Sequence, residues 1–130
     1  MTPSDQTRCP CGNPLPLQAC CGRWLDGTPA PDAETLMRSR YTAFVLRRAD
    51  YLLATWHPDT RPATLDLEET PAPKWLGLKV LRSEETGAES ALVEFVARYK
   101  TGGRAYRLHE SSRFQRRQGR WVYVDGDQFP

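Results

Sequence analysis

Four cysteines sit in one short stretch near the start of the chain: Cys9 and Cys11 flank Pro10, eight residues follow, and Cys20 and Cys21 are adjacent. No other cysteine occurs among the 130 residues. Two pairs of thiols brought face to face make a donor set for a tetrahedral soft metal, zinc above all, and four thiolates close that shell. Gly12-Asn13-Pro14-Leu15-Pro16 supplies the turn between the pairs. A closed shell leaves no position for water, so a single zinc ion there is structural and does no catalysis. Gly12 and Gly22 each follow a ligand cysteine and are suited to positive φ, which would aim backbone N–H groups at sulfur. Arg8 and Arg23 flank the cluster and are placed to offset the double negative charge of a zinc tetrathiolate. The competing chemistries are two disulfides, one of them strained between neighbours Cys20 and Cys21, four unrelated buried thiols, and an iron–sulfur cluster. The opening residues lack the apolar segment of a signal peptide, which makes the cytoplasm the expected compartment, and thiols stay reduced there.

The second chemical candidate is a carboxylate. Tyr106, Leu108, Glu110, Ser112 and Phe114 alternate along one predicted strand and share a face, so Glu110 falls in a largely apolar row and needs a partner. Arg38 is predicted to lie about 60° from the apolar stripe of a helix and to reach that carboxylate. Tyr41, Trp56 and His57 are expected around the same cleft. Two readings stand side by side. In one, Glu110 is a general base or a ligand-holding group, with His57 or Tyr41 nearby. In the other, Glu110 and Arg38 form a structural ion pair between helix and sheet. His57, followed by Pro58, also suits a helix end, and Asp125-Gly126-Asp127 suits a strand-ending turn.

The elements that must position these groups follow from periodicity. Gly27, Pro29 and Pro31 mark a connector. Asp32 is a natural N-cap with Glu34 in the first turn, and Met37, Tyr41, Phe44 and Val45 form one apolar stripe. Asp50 reads as the cap of a second helix that carries Tyr51, Leu52, Leu53 and Trp56 and stops at Pro58. Residues 62–70 admit one or two further helical turns. From Trp75 the pattern turns β-rich: Trp75–Ser83, Ala91–Lys100, Arg104–Arg116 and Trp121–Asp125, joined by short turns that include Thr101-Gly102-Gly103 and Arg117-Gln118-Gly119. Short connections require an antiparallel meander, and helices followed by strands predict an α+β fold with the helices on one sheet face.

Cys-x-Cys, eight residues, then Cys-Cys resembles the SEC-C zinc motif, which also ends the translocation motor SecA. Leu36-Met37-Arg38-Ser39-Arg40-Tyr41-Thr42-Ala43-Phe44, Ala49-Asp50-Tyr51-Leu52, Thr55-Trp56-His57-Pro58 and Trp75-Leu76-Gly77-Leu78 resemble the bacterial YchJ-like family. So do Glu110-Ser111-Ser112-Arg113-Phe114 and Trp121-Val122-Tyr123-Val124-Asp125-Gly126. The resemblance implies a zinc knuckle in residues 1–28 joined to a nuclear transport factor 2-like (cystatin-like) roll in residues 29–130. In that roll, helices pack on a curved antiparallel sheet of about four strands, and a cone-shaped cavity commonly remains between the two layers.

Composition narrows the partners. With 39% hydrophobic and 26% charged residues the chain is neither disordered nor membrane-spanning, since no apolar run approaches about 20 residues. The formal net charge is +2, which four thiolates and one zinc ion bring to zero. Six arginines and one acidic residue lie between Arg104 and Arg120. Arg107, Arg113 and Gln115 lie opposite the apolar row, so this stretch reads first as a solvated face, then as a protein-binding surface, then as a site for nucleic acid or the ribosome. The sequence therefore reads first as a protein-binding adaptor with a structural zinc, meeting its partner through Leu15, Leu17 and Trp24. A small-molecule receptor or enzyme built on the cavity around Glu110 is the alternative.

Overall fold

Residues 8–67 and 72–129 are described by the computed structural model of the protein. They run as a 3-10 turn (Leu17–Ala19), α1 (Cys21–Leu25), α2 (Ala33–Val45), α3 (Ala49–Ala54), and four strands, β1 (Lys74–Gly87), β2 (Ser90–Thr101), β3 (Arg104–Arg117) and β4 (Arg120–Phe129). The opening segment assessed for a signal peptide lies outside the described residues but for Arg8. So do positions 68–70 of the expected extra helical turn, and residues 62–67 form no helix. None of the described helices is long and apolar enough to cross a membrane.

The strands form one antiparallel sheet in the order β1-β2-β3-β4, the meander that short turns dictate. Gly102 and Gly103 (φ 58° and 80°) and Gln118 and Gly119 (φ 54° and 79°) both turn with positive φ at the two central residues, which matches the right-handed twist of the flanking strands. β4 does not end at Asp125-Gly126. A bulge shifts the register so that Phe114 faces Tyr123 while Arg113 faces Asp125, and pairing continues to Phe129. Arg113 on the outer face holds Asp125 at 2.6 Å and Asp127 at 2.9 Å, so these acids extend the strand. Arg116 pairs with Glu89 at 3.0 Å, and the arginines of β3 are all exposed.

Asp32 caps α2 as predicted, its carboxylate accepting from Thr35 N–H at 2.8 Å. Asp32→Ala should lower stability by about 1 kcal/mol, read as a fall of about 4 °C in the thermal midpoint. Asp50 is not a cap. It lies in the first turn of α3 and takes two hydrogen bonds from Arg48, the residue at the cap position.

The single stripe expected on α2 understates its burial. Leu36, Met37 and Tyr41 pack with Val93, Phe95, Phe114 and Trp121 in the main core, while Ala43 packs with Leu25 and Leu52 on another side. Ser39, Arg40 and Thr42 are buried as well. The helix is covered by the sheet on one side and by the cysteine knuckle on the other.

Candidate metal centre and the adjoining cavity

The four cysteine sulfurs lie within 4.8 Å of one another, all four residues are buried, and none is disulfide-bonded. Four sulfurs at about 2.3 Å from a tetrahedral ion stand about 3.8 Å apart. The Cys11 and Cys20 sulfurs are 3.6 Å apart, so the donor set fits a single ion of that kind. The disulfide alternative is not realised. Local backbone explains how adjacent cysteines both contribute. Cys20 closes the 3-10 turn with an irregular backbone (φ −127°, ψ −114°) and Cys21 begins α1, so successive side chains turn to the same point.

Gly12 adopts the expected positive φ (101°), but its N–H donates to the Cys9 carbonyl at 3.2 Å and not to sulfur. Gly22 is helical and its requirement is space, because a Cβ there would stand 2.8 Å from the Leu17 carbonyl oxygen. The sulfurs are served instead by the backbone N–H groups of Cys11 and Cys21 on Cys9, that of Asn13 on Cys11, and the Asn13 side-chain amide on Cys20 at 3.3 Å. Hydrogen bonds from the Cys11 and Cys21 thiols hold the Cys9 thiol far below its ordinary range. The Cys21 thiol is pushed far up by its Cys11 and Cys9 neighbours and by burial. The Cys11 thiol is drawn down by Cys21, yet Cys9 and burial raise it to about 11. Packed thiols of this kind resist ionising together, and a divalent cation is what would let all four become thiolates.

The knuckle is fastened to α2. Thr42 Oγ1 lies 3.7 Å from Cys9 Sγ, and Arg38 Nη1 donates to the Cys11 carbonyl at 2.9 Å while its Nε holds Glu34 at 3.1 Å. This corrects the expected pairing of Arg38 with Glu110. At its position Arg38 faces the knuckle, and it does not line the cavity around the carboxylate. Arg23 reaches the Cys20 carbonyl at 3.5 Å and covers the Trp24 ring, and exposed Arg8 bridges by its backbone to Pro16.

On the opposite side of α2, a cavity of about 270 Å³ separates the helix from the sheet. Met37, Phe44, Trp75, Phe95 and Phe114 make its apolar wall, and Arg40, Tyr41, Trp56, Glu110, Ser112 and Tyr123 also line it. Glu110 is buried at 8% exposure, and its Oε2 accepts from Ser112 Oγ at 2.6 Å and Tyr123 OH at 3.1 Å. Gly126 lies directly against this carboxylate, where a Cβ would come within 2.8 Å of Glu110 Cδ. Gly126→Ala should therefore displace Glu110 from Tyr123 and cost about 1–3 kcal/mol by overpacking, measurable as a lower urea midpoint at unchanged slope.

Arg40 supplies the cation that Arg38 was expected to bring. Its Nη1 donates to the Leu52 carbonyl and to Thr55 Oγ1, each at 2.8 Å, and its guanidinium packs against the rings of both Trp56 (5.0 Å) and Tyr123 (4.7 Å). Burial lowers its pKa to about 10, which leaves it charged at neutral pH. Tyr41 borders the cavity with its phenol pushed up to about 12 by burial, and burial with the Glu110 charge raises Tyr123 further. His57 does not line the cavity. Its backbone N–H donates to the Tyr123 carbonyl at 2.7 Å and its Nδ1 accepts from Asp59 N–H at 3.0 Å, so it closes the turn after α3. Arg40 and Tyr123 were not singled out from the sequence. Tyr123 sits at every second position along β4 from Trp121, a period-2 signal that places it on the inner face.

Similarity to known proteins agrees with this architecture. Residues 32–126 match the model of the YchJ middle, nuclear transport factor 2-like domain. A UPF0225 protein of Polaromonas naphthalenivorans is 58% identical, covering 95% of this chain and 98% of its own length. A UPF0225 protein of Bordetella parapertussis is 56% identical over 96% of each. The solution structure of a SEC-C motif containing protein from Rhodopseudomonas palustris superposes with a TM-score of 0.83 at 34% identity, covering 95% of this chain and 100% of that one. The crystal structure of a SEC-C motif containing protein from Psychrobacter arcticus gives 0.75 at 30% identity, over 90% and 80%.

Proposed function

The chain belongs to the YchJ-like, UPF0225 family, and on that premise we propose that it binds a small molecule in the cavity beneath α2, with one structural zinc ion in the SEC-C knuckle holding that helix in place. The observation that carries this reading is the double use of α2. Arg38 and Thr42 contact the cysteine cluster, and Met37, Arg40, Tyr41 and Phe44 line the cavity. Zinc is the metal best matched to four thiolates closed in a tetrahedron, and such an ion contributes folding energy to a segment too short for its own core. Cys9, Cys11, Cys20 and Cys21 would hold it, and the ion would supply structural cross-linking alone. The knuckle of residues 1–28 would then serve the roll of residues 29–130 as a buttress. Free thiols poised for a metal suit a reducing, cytoplasmic setting.

Protein binding through the knuckle, the adaptor reading, retains one observation: Leu15 is 46% exposed. Its other expected contacts, Leu17 and Trp24, are partly buried against the cysteine cluster. Native mass spectrometry of the intact chain, purified from its own cells without chelator, separates the two readings. One zinc ion and a retained small molecule per chain support the proposal. A zinc-loaded chain that carries a polypeptide partner and no small molecule supports the adaptor, and a chain without zinc removes the structural role assigned to the knuckle.

A further inference from the structure

The cations of the sheet differ in what neutralises them. Toward the β1–β2 and β3–β4 turns, Arg82, Arg113 and Arg116 hold acids at 2.6, 2.6 and 3.0 Å. The opposite end, around the β2–β3 turn, is built from residues 72–80 and 95–108. These segments carry Lys74, Lys79, Arg98, Lys100, Arg104 and Arg107 and neither Asp nor Glu. All six cations are exposed, and none has an ion pair or side-chain hydrogen bond with a described residue. Register makes the crowding specific. Arg98 stands directly opposite Arg107, and Lys74 directly opposite Lys100. Like charges at facing positions destabilise a strand pair. Val96, Arg98 and Lys100 share the face turned away from α2, since Ala97 between them belongs to the core, and Lys79 faces Val96 there. Five cations thus form one outer patch, about 5 Å apart across strands and about 7 Å apart along them. Among the described residues nothing neutralises this patch, and a flexible polyanion laid across it would.

The aromatic groups at the same end select among polyanions. Tyr99 and Tyr106 stack with centroids 5.3 Å apart and planes 18° apart, Tyr106 is 41% exposed, and the Arg104 guanidinium lies 6.0 Å from its ring. By alternation with Ala97 and Leu108 these rings lie on the other face of the sheet from the five cations. Only the turn at Gly102 and Gly103 separates the two faces, and the space around both glycines is open. A duplex is stiff over about 150 base pairs and cannot fold around such an edge. A single strand can lay its phosphates on one side and stack a base on the exposed Tyr106 ring on the other. A protein partner would want an interface centre poor in lysine, and three of the five outer cations are lysines. We infer that the β2–β3 end of the sheet binds single-stranded nucleic acid, its phosphates on Lys74, Lys79, Arg98, Lys100 and Arg107 and a base on Tyr106. None of these residues lines the cavity, so this site stands apart from the small-molecule reading.

The test is fluorescence anisotropy of the zinc-loaded full chain with dye-labelled oligoadenylate of about 12 nucleotides, as RNA and as DNA, over about 50–200 mM salt. With about five phosphates neutralised, log affinity should fall against log salt with a slope of about −3.5. The tighter of the two oligonucleotides tells whether the site prefers RNA or DNA. Arg98→Gln combined with Arg107→Gln should lower affinity at least about tenfold and make the slope shallower by about 1.4. Its thermal midpoint should stay level or rise, because a like-charge pair is gone. Should the double variant not fold, Arg107→Gln alone decides, with a slope change of about 0.7. Tyr106→Leu should lower affinity about tenfold at unchanged slope, since stacking and not charge is lost. Arg116→Gln should stay within about twofold of the native chain, because that guanidinium already holds Glu89. A slope shallower than about −1, or a double variant that binds as the native chain does, overturns the site. A duplex or an oligoglutamate of the same length binding as tightly overturns the assigned partner. So does binding to phosphatidylserine vesicles with none to either oligonucleotide.

Discussion

Cys11→Ser should weaken zinc binding by more than about a hundredfold and loosen the first third of the fold. Partners that merely orient metal ligands are worth about 10–100-fold in affinity, and a ligand itself contributes more. Cys11 is fully buried, its sulfur stands 3.6 Å from that of Cys20, and its carbonyl takes the Arg38 hydrogen bond. Serine puts a shorter, hard, protonated oxygen where a soft thiolate completes the tetrahedron. Apparent binding free energy for a structural zinc is about 10–16 kcal/mol, and in a knuckle too short for its own core much of it would be folding energy. The check is competition against a chromophoric chelator, with thermal unfolding in parallel. Native-like zinc affinity in Cys11→Ser would mean that the four cysteines do not act as one donor set. Zinc affinity of the native chain should fall with falling pH, because each ligand must lose its proton to bind.

Phe114→Ala should destabilise the chain by about 3–5 kcal/mol, the cost of losing a large core ring and leaving a void. Phe114 is 2% exposed, packs edge-on to Tyr123 at 5.8 Å, and belongs both to the main core and to the cavity wall. Its site is already bordered by empty space, so the neighbours have little to collapse upon and the cost belongs at the upper end of the range. For a chain of this size the thermal midpoint should drop by about 10–20 °C. The enlarged cavity should bind toluene better than the native chain does, which separates local truncation from general disorder. A loss below about 1 kcal/mol would show that Phe114 is not part of a packed core.

The candidate metal centre was legible because cysteine is rare and its spacing is local: Cys9 to Cys21 fall within one turn-helix unit. The meander was legible for the same reason, since Gly102-Gly103 and Gln118-Gly119 announce their turns within two residues. The cavity's charges were not. Arg38 and Arg40 differ by two positions on one helix, and an apolar stripe marks only the side facing the sheet. α2 is covered on two sides, so its buried polar residues Ser39, Arg40 and Thr42 carry no hydrophobic signal. Arg38 therefore looked free to reach Glu110, when the knuckle had already claimed it through the Cys11 carbonyl. The extra length of β4 was hidden by Asp125-Gly126-Asp127, which has turn composition. A strand there needs Arg113 across the sheet to pair both acids, and a glycine to clear Glu110, and both are non-local conditions.

In the proposed function the knuckle acts as a zinc-dependent buttress for the cavity helix. Amide hydrogen exchange of the native chain, followed at Leu36–Ala43 with zinc bound and after its removal by a chelator, tests that coupling most directly. Removal of zinc should accelerate exchange in this central part of α2 by at least about tenfold while β2 and β3 keep their protection. Unchanged exchange in α2, with only residues 8–25 deprotected, would contradict it and leave the metal centre an independent appendage.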